Sequence, residues 1–186
     1  MESRWACDGY FSIMDPHIRR AMDTFFREAE QKAYLMAVTL THDRQDALEL
    51  VQENMLKLVQ KYSHRESNEW GPLFYRILQN AIKDWFRKQK FRQVLLGLMP
   101  WQADSEGDKV EASAEDQVLL DDELAHVMEA LRQLPLRQQQ TFLMRAWQEF
   151  STRETAFALC ISENSVKTHY ARATHHLRQL LGESDG

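Results

Sequence analysis

The sequence predicts an all-α chain: two small helical modules joined by an acidic flexible linker, the C-terminal module being a helix-turn-helix. Three observations carry that prediction. Helix breakers are scarce, with six Gly and four Pro in 186 residues. Apolar residues recur at helical spacing on both sides of one interruption. The interruption contains QADSEGDKVEASAEDQ, rich in acidic and small residues and poor in large apolar ones. The net charge of -5 divides accordingly: +2 over residues 1–92, -8 over 93–123, where Lys109 is the one cation, and +1 over 124–186. We therefore place an N-terminal module at 1–92, the linker at 93–123 and a C-terminal module at 124–186.

Composition excludes several classes. With 44% apolar and 10% aromatic residues the chain is not wholly disordered or of low complexity, and its negative balance argues against a diffuse nucleic-acid coat. Apolar runs fall well short of the roughly 18 to 20 residues that cross a bilayer, and the first residues lack a signal peptide's apolar core. The expectation is a soluble cytoplasmic protein without membrane insertion. Cys7 and Cys160 lie far apart and outside any CxxC spacing, which suggests free thiols and no cofactor.

From Asp46 the segment DALELVQENMLKLVQKY places Leu48, Val51, Met55, Leu58, Val59 and Tyr62 on one buried stripe. Asp46, Glu49 and Glu53 gather on the opposite face, flanked by Leu50 and Leu56. An anionic face edged by aliphatics suits a docking helix, although solvated acidic faces are common.

A second helix is expected from Leu73 to Arg92, with Trp70 and Gly71-Pro72 ahead of it as a start signal. Phe74, Ile77, Leu78, Ala81 and Trp85 form its core stripe. The far side collects Tyr75, Ile82 and Phe86 among Gln79, Lys83 and Lys90, flanked by Arg76 and Arg87. Five cations against Asp84 alone lie between Lys83 and Arg92, a local +4. Cations neutralise phosphates and aromatic faces stack unpaired bases at about 1 to 3 kcal/mol each. The competing reading packs the aromatics on another helix.

The third element is STRETAFALCISENSVKTHYARATHHLRQLL, Ser151 to Leu181. Ser151 and Glu154 form a capping box that opens a short helix, Cys160-Ile161 make the turn, and Ser162 caps a second helix. Val166, Tyr170, Ala173 and Leu177 face inward. Lys167, Thr168, Ala171 and Arg172 face outward beside Asn164 and Ser165 at the positive end of the helix. Such a surface suits a major groove: Lys and Arg donate to guanine edges or phosphates, Thr bonds to either, and Ala packs on a thymine methyl.

DALELVQE, FYRILQNAIKDWFRK and the stretch from LRQLPLRQQQ through LRQLL resemble, in order and spacing, the bacterial sigma factors of the sigma-70 class, in particular the extracytoplasmic-function (ECF) group. The resemblance implies a sigma factor that binds core RNA polymerase, directs it to promoter DNA and helps melt the -10 region, with an anti-sigma factor as a further partner where one exists. It implies core binding by Asp46, Glu49, Leu50, Gln52, Glu53 and Leu56. It implies -10 strand capture by the loop Tyr62 to Trp70 and by Tyr75, Arg76, Asn80, Lys83, Phe86, Arg87 and Lys88. It implies -35 duplex readout by Lys167, Thr168, Ala171 and Arg172, supported by Asn164 and Ser165, with Arg153 on phosphate. Thr155 and Cys160 depart from the family's usual aliphatic and glycine.

Two alternatives remain at this level: a LuxR-type helix-turn-helix regulator, and a polymerase adaptor or antagonist that does not use its DNA contacts. An enzyme is the third class. Its support is the His42-Asp43 doublet with His169, His175 and His176, and no metal or phosphate-loop spacing accompanies them.

Overall fold

The computed structural model describes residues 14–95 and 122–182, which form helices and no strand. Helix α1 spans Pro16–Thr41. The Asp15 carboxylate accepts from the His17 backbone N–H at 2.7 Å, and Pro16 sits at the first position, where a missing N–H costs nothing. His42 ends the helix by turning left-handed, φ 56°, and returns its N–H to the Val38 carbonyl at 2.9 Å. Asp43 then opens α2, Arg44–Tyr62, by accepting the Asp46 N–H at 2.7 Å. The His42-Asp43 doublet that favoured an enzyme is thus a helix stop followed by a helix start.

Helix α3 spans Ser67–Leu95 and corrects the sequence reading at both ends. The expected loop from Tyr62 to Trp70 shrinks to a turn at 63–66, closed by the Glu66 N–H on the Glu69 carboxylate at 3.3 Å. Gly71-Pro72 lies inside the helix instead of before it. The cause is Trp70, buried with its ring 6.1 Å from that of Phe25, which draws Ser67 to Trp70 into the first turn. Its far end continues to Leu95, past the expected boundary at Arg92. Most of the acidic linker, 96–121, lies outside the described residues.

The second module follows as α4 (Asp122–Arg132), α5 (Leu136–Phe142), a π-helical turn (Leu143–Trp147), α6 (Thr152–Leu159) and α7 (Glu163–Leu180). Within the first module α1, α2 and α3 pack together around Phe26, Val51, Leu58, Phe74 and Leu78. Within the second, α7 lies on α5 and α6, with Val166, Ala173 and Leu177 inward as expected. The modules also touch. Helix α3 lies along α6, and the Thr39 hydroxyl of α1 reaches the Met128 sulfur of α4 at 3.3 Å. This second contact explains why Leu35 to Thr41 of α1 are buried on every side, where an ordinary surface helix buries one stripe.

Candidate polymerase and nucleic-acid interfaces

On α2 the acidic face is real but not uniform. Glu49 and Glu53 are exposed; Glu49 accepts from the Gln45 amide at 2.6 Å and Glu53 pairs loosely with Lys57 at 3.8 Å. Asp46 is engaged elsewhere. Its carboxylate accepts the Trp85 indole N–H at 2.6 Å and the Gln89 amide at 3.4 Å, which ties α2 to α3. It therefore braces α2 on α3 at the edge of the acidic face. Gln52, Leu50 and Leu56 are half-buried, and Leu50 also packs against the core, so the aliphatic edge is less exposed than the helical period suggested.

On α3 the expected basic-aromatic face divides. Asn80, Arg87 and Lys88 are exposed; Arg87 pairs with Asp84, and Asp84, Arg87, Lys88 and Phe91 line one surface groove. Phe86 is half-buried in a T-shaped contact with Trp85. Tyr75 is not on the surface: it is 2% exposed, edge-on to Phe74 and Phe150 at 5.2 and 5.3 Å. Ile82 and Gln79 are buried with it. Phe150, just before α6, covers Tyr75, whereas the Gln79 amide donates to the Met36 sulfur of α1 at 3.2 Å. Arg76 is half-buried, its guanidinium 4.6 Å from the centre of the Phe157 ring. Burial, then the nearby Arg137 charge, lowers the Lys83 ammonium pKa from its ordinary value.

The helix-turn-helix forms as expected. The Ser151 hydroxyl accepts the Glu154 N–H at 3.2 Å while the Glu154 carboxylate accepts the Ser151 N–H at 2.8 Å. Those two Ser151 bonds, the side-chain one first, hold the Glu154 carboxyl below its ordinary value. A depressed carboxyl contributes stability that is complete above its unfolded value, about 4.3, and is lost as pH falls through the folded one. Ser151→Ala should cost about 1 kcal/mol at neutral pH, and thermal melts should show the gap narrowing below about pH 4 as Glu154 takes up a proton.

Cys160 makes the turn in the left-handed region, φ 54°, at the position where glycine would carry no Cβ penalty. Ser162 caps α7 by accepting the Ser165 N–H at 3.1 Å, and the two hydroxyls are 2.8 Å apart. Ser165 is consequently committed to the cap. Lys167, Thr168, Ala171, Arg172, Asn164 and Arg153 are all exposed. The Thr168 hydroxyl donates back to the Asn164 carbonyl at 3.0 Å, leaving its lone pairs outward.

Arg145 was not singled out from sequence. It donates to the Phe150 carbonyl and sits 5.6 Å over the Tyr170 ring, which also stacks on Phe142 at 6.0 Å. It joins the π-helical turn, the segment before α6 and α7, and nothing in local spacing marks a residue whose two partners come from separate elements.

The geometry can be set beside known proteins. Residues 25–92 match the model of sigma-70 region 2, and residues 124–177 match that of sigma-70 region 4. The chain belongs to the sigma-70 family. It is a promoter-recognising sigma factor of the ECF group. This sigma factor is 29% identical over 177 residues to the ECF RNA polymerase sigma factor SigX of Bacillus subtilis, covering 90% of this chain and 85% of SigX. It is 26% identical over 172 residues to the RNA polymerase sigma-E factor of Streptomyces coelicolor, covering 92% and 87%. In fold it resembles the sigma factor RpoE of Bartonella quintana, solved with the anti-sigma factor NepR (TM-score 0.65, 20% identity, 87% of this chain and 99% of that one). It also resembles CnrH, solved with the cytosolic domain of CnrY (TM-score 0.61, 18% identity, 95% and 94%). The two matched regions exclude the LuxR-type partner domain, since the described part of the first region is helical throughout.

Proposed function

We propose a division of labour among three helix faces, with the chemistry left to the polymerase. Helix α7 reads the -35 duplex through Lys167, Thr168, Ala171 and Arg172, with Arg153 and Asn164 on the flanking backbone. Helix α3 holds the -10 strand through Asn80, Arg87, Lys88 and Phe86, with Arg76 and Lys83 at the edge. Helix α2 attaches core polymerase through Glu49, Glu53 and Gln52, edged by Leu50 and Leu56. The observation that carries the reading is the outward row on α7: two cations, a hydroxyl and a methyl, exposed together on a capped helix of a helix-turn-helix.

A net charge of -5 opposes independent binding to a polyanion. Holding both modules on one polymerase raises the effective concentration of each for its own element. No helix among the described residues is long and apolar enough to cross a membrane, and a cytoplasmic location fits this role. An anti-sigma factor, as in the RpoE structure, would act here by covering the α2 or the α3 face.

Capture by immobilised core polymerase tests the attachment. Glu49→Lys/Glu53→Lys should weaken capture at least about tenfold, since a like-charge juxtaposition costs several kcal/mol, while leaving the melting temperature unchanged. Asp46→Ala should do the reverse in part: it orphans the Trp85 indole and should cost about 1 to 2 kcal/mol of stability. Unimpaired capture by the double lysine variant would remove α2 from the interface.

A further inference from the structure

We propose that Arg145 is a positioning residue for duplex readout: it holds the start of α6 and the roll of α7 about its axis in one fixed relation, so that phosphate and base contacts engage together. The proposal rests on the reading that α7 takes the -35 duplex.

The backbone around Arg145 is shaped to present it. The π-helical turn Leu143–Trp147 closes with the Gln148 N–H on the Leu143 carbonyl at 3.1 Å. Glu149 then turns left-handed, φ 57°, and the Phe150 N–H returns to the Met144 carbonyl at 3.1 Å. This reversal brings the Phe150 carbonyl to the Arg145 guanidinium, which donates to it. Phe150 directly precedes Ser151, the cap of α6, so the bond sets where α6 begins. Turns of the π type are rare and recur mostly at functional sites.

The same guanidinium lies 5.6 Å from the centre of the Tyr170 ring, which stacks on Phe142 of α5 at 6.0 Å. At about 100° per residue, Tyr170 falls between the inward line of Val166, Ala173 and Leu177 and the outward Lys167 and Ala171. A helix seated along one line can roll about it, and a contact on its flank stops the roll. The bond between His176 and Gln138 of α5, 3.0 Å, lies beyond the reading residues, toward the C-terminal end.

Small rolls matter here. Side-chain tips stand about 5 to 6 Å from a helix axis, so a roll of about 15° carries them about 1.5 Å. Donor-acceptor distances in a base-edge hydrogen bond vary by about 0.5 Å. Attraction to a phosphate tolerates such a shift, because it falls slowly with distance. Loss of the Arg145 contact therefore removes discrimination between sequences more than it removes binding.

Affinities are measured for the full chain with core polymerase on two probes: a duplex selected from a random pool by the wild-type complex, and a shuffled duplex of the same length. Arg145→Met and Tyr170→Leu break the contact from opposite sides. Each should lower the ratio of selected to shuffled affinity about tenfold, the worth of one base contact, with shuffled affinity and salt dependence unchanged. The double variant should lose no more than either single one, since both remove the same contact. Tyr170→Phe keeps the ring face that attracts the cation and should keep the wild-type ratio.

A wild-type ratio in Arg145→Met or Tyr170→Leu would overturn the proposal. So would equal losses on both probes with a shallower salt dependence, which would make Arg145 a phosphate contact. A loss in Tyr170→Phe as large as in Tyr170→Leu would also overturn it, by assigning the effect to the hydroxyl. Loss of a cooperative melt in both ring-contact variants would do the same, by making the pair a support of the fold alone. Lys167→Ala/Arg172→Ala separates this failure from that of the underlying reading. If it abolishes discrimination that Arg145→Met leaves intact, only the positioning role falls. If it leaves discrimination intact, the reading of α7 falls as well.

Discussion

Lys167→Ala/Arg172→Ala should lower affinity for a -35 duplex by about 100- to 1,000-fold, because each well-placed side chain-base contact is worth about 1 to 3 kcal/mol. Both residues are exposed on α7 and lie outside the inward set of Val166, Ala173 and Leu177. Surface changes away from caps and cores usually stay within about 0.5 kcal/mol, so the melting temperature should not move. Core capture should also persist, because attachment is assigned to α2. Band-shift titration and polymerase pull-down on the same preparation check both halves. Loss of both activities together would indicate that α7 does more than read DNA, and loss of neither would remove it from the promoter interface. This combination also separates a sigma factor from an adaptor that never uses its DNA contacts, since the adaptor would pass through the substitution unchanged.

Phe74→Ala should have the largest effect on folding. The ring is fully buried where α1 and α3 meet, with edge contacts to Phe25 at 6.0 Å, Phe26 at 6.5 Å and Tyr75 at 5.2 Å. Truncating a buried Phe typically costs about 3 to 5 kcal/mol, a large share of the about 5 to 15 kcal/mol that holds a domain. The residues proposed for strand capture and the brace to Asp46, both on α3, would lose their seat together. Thermal unfolding by circular dichroism should show the midpoint lowered by at least about 10 °C. A shift of a degree or two would mean that the aromatic cluster is not the centre of the module.

Elements set by local rules were readable from sequence. Ser151, Glu154 and Ser162 cap where their spacing says they should, and the inward and outward sets of α7 follow its period. The stripe of α2 from Val51 to Val59 is likewise buried. What local rules do not encode is which second helix covers a face. Tyr75, Gln79 and Ile82 share a side of α3 that is amphipathic enough to read as a binding surface, and it is turned inward by distant residues: Phe150 covers Tyr75 and Met36 of α1 receives the Gln79 amide. The bracing role of Asp46 was hidden for the same reason: its partner Trp85 is 39 residues away. Trp70 moved the start of α3, since burial against Phe25 outweighed the start signal of Gly71-Pro72. The competing reading of the aromatics on α3, that they pack on another helix, holds for Tyr75 and not for the exposed end of the helix at Arg87 and Lys88.

The central claim is that this one chain makes core polymerase promoter-specific through two separate DNA contacts. Run-off transcription with purified core polymerase on a genomic fragment library tests it most directly. Discrete transcripts should appear only when the chain is added, should start from a limited promoter set, and should vanish with Lys167→Ala/Arg172→Ala while core binding persists. A chain that binds core polymerase yet yields no discrete start sites, or start sites indifferent to that substitution, would contradict the account.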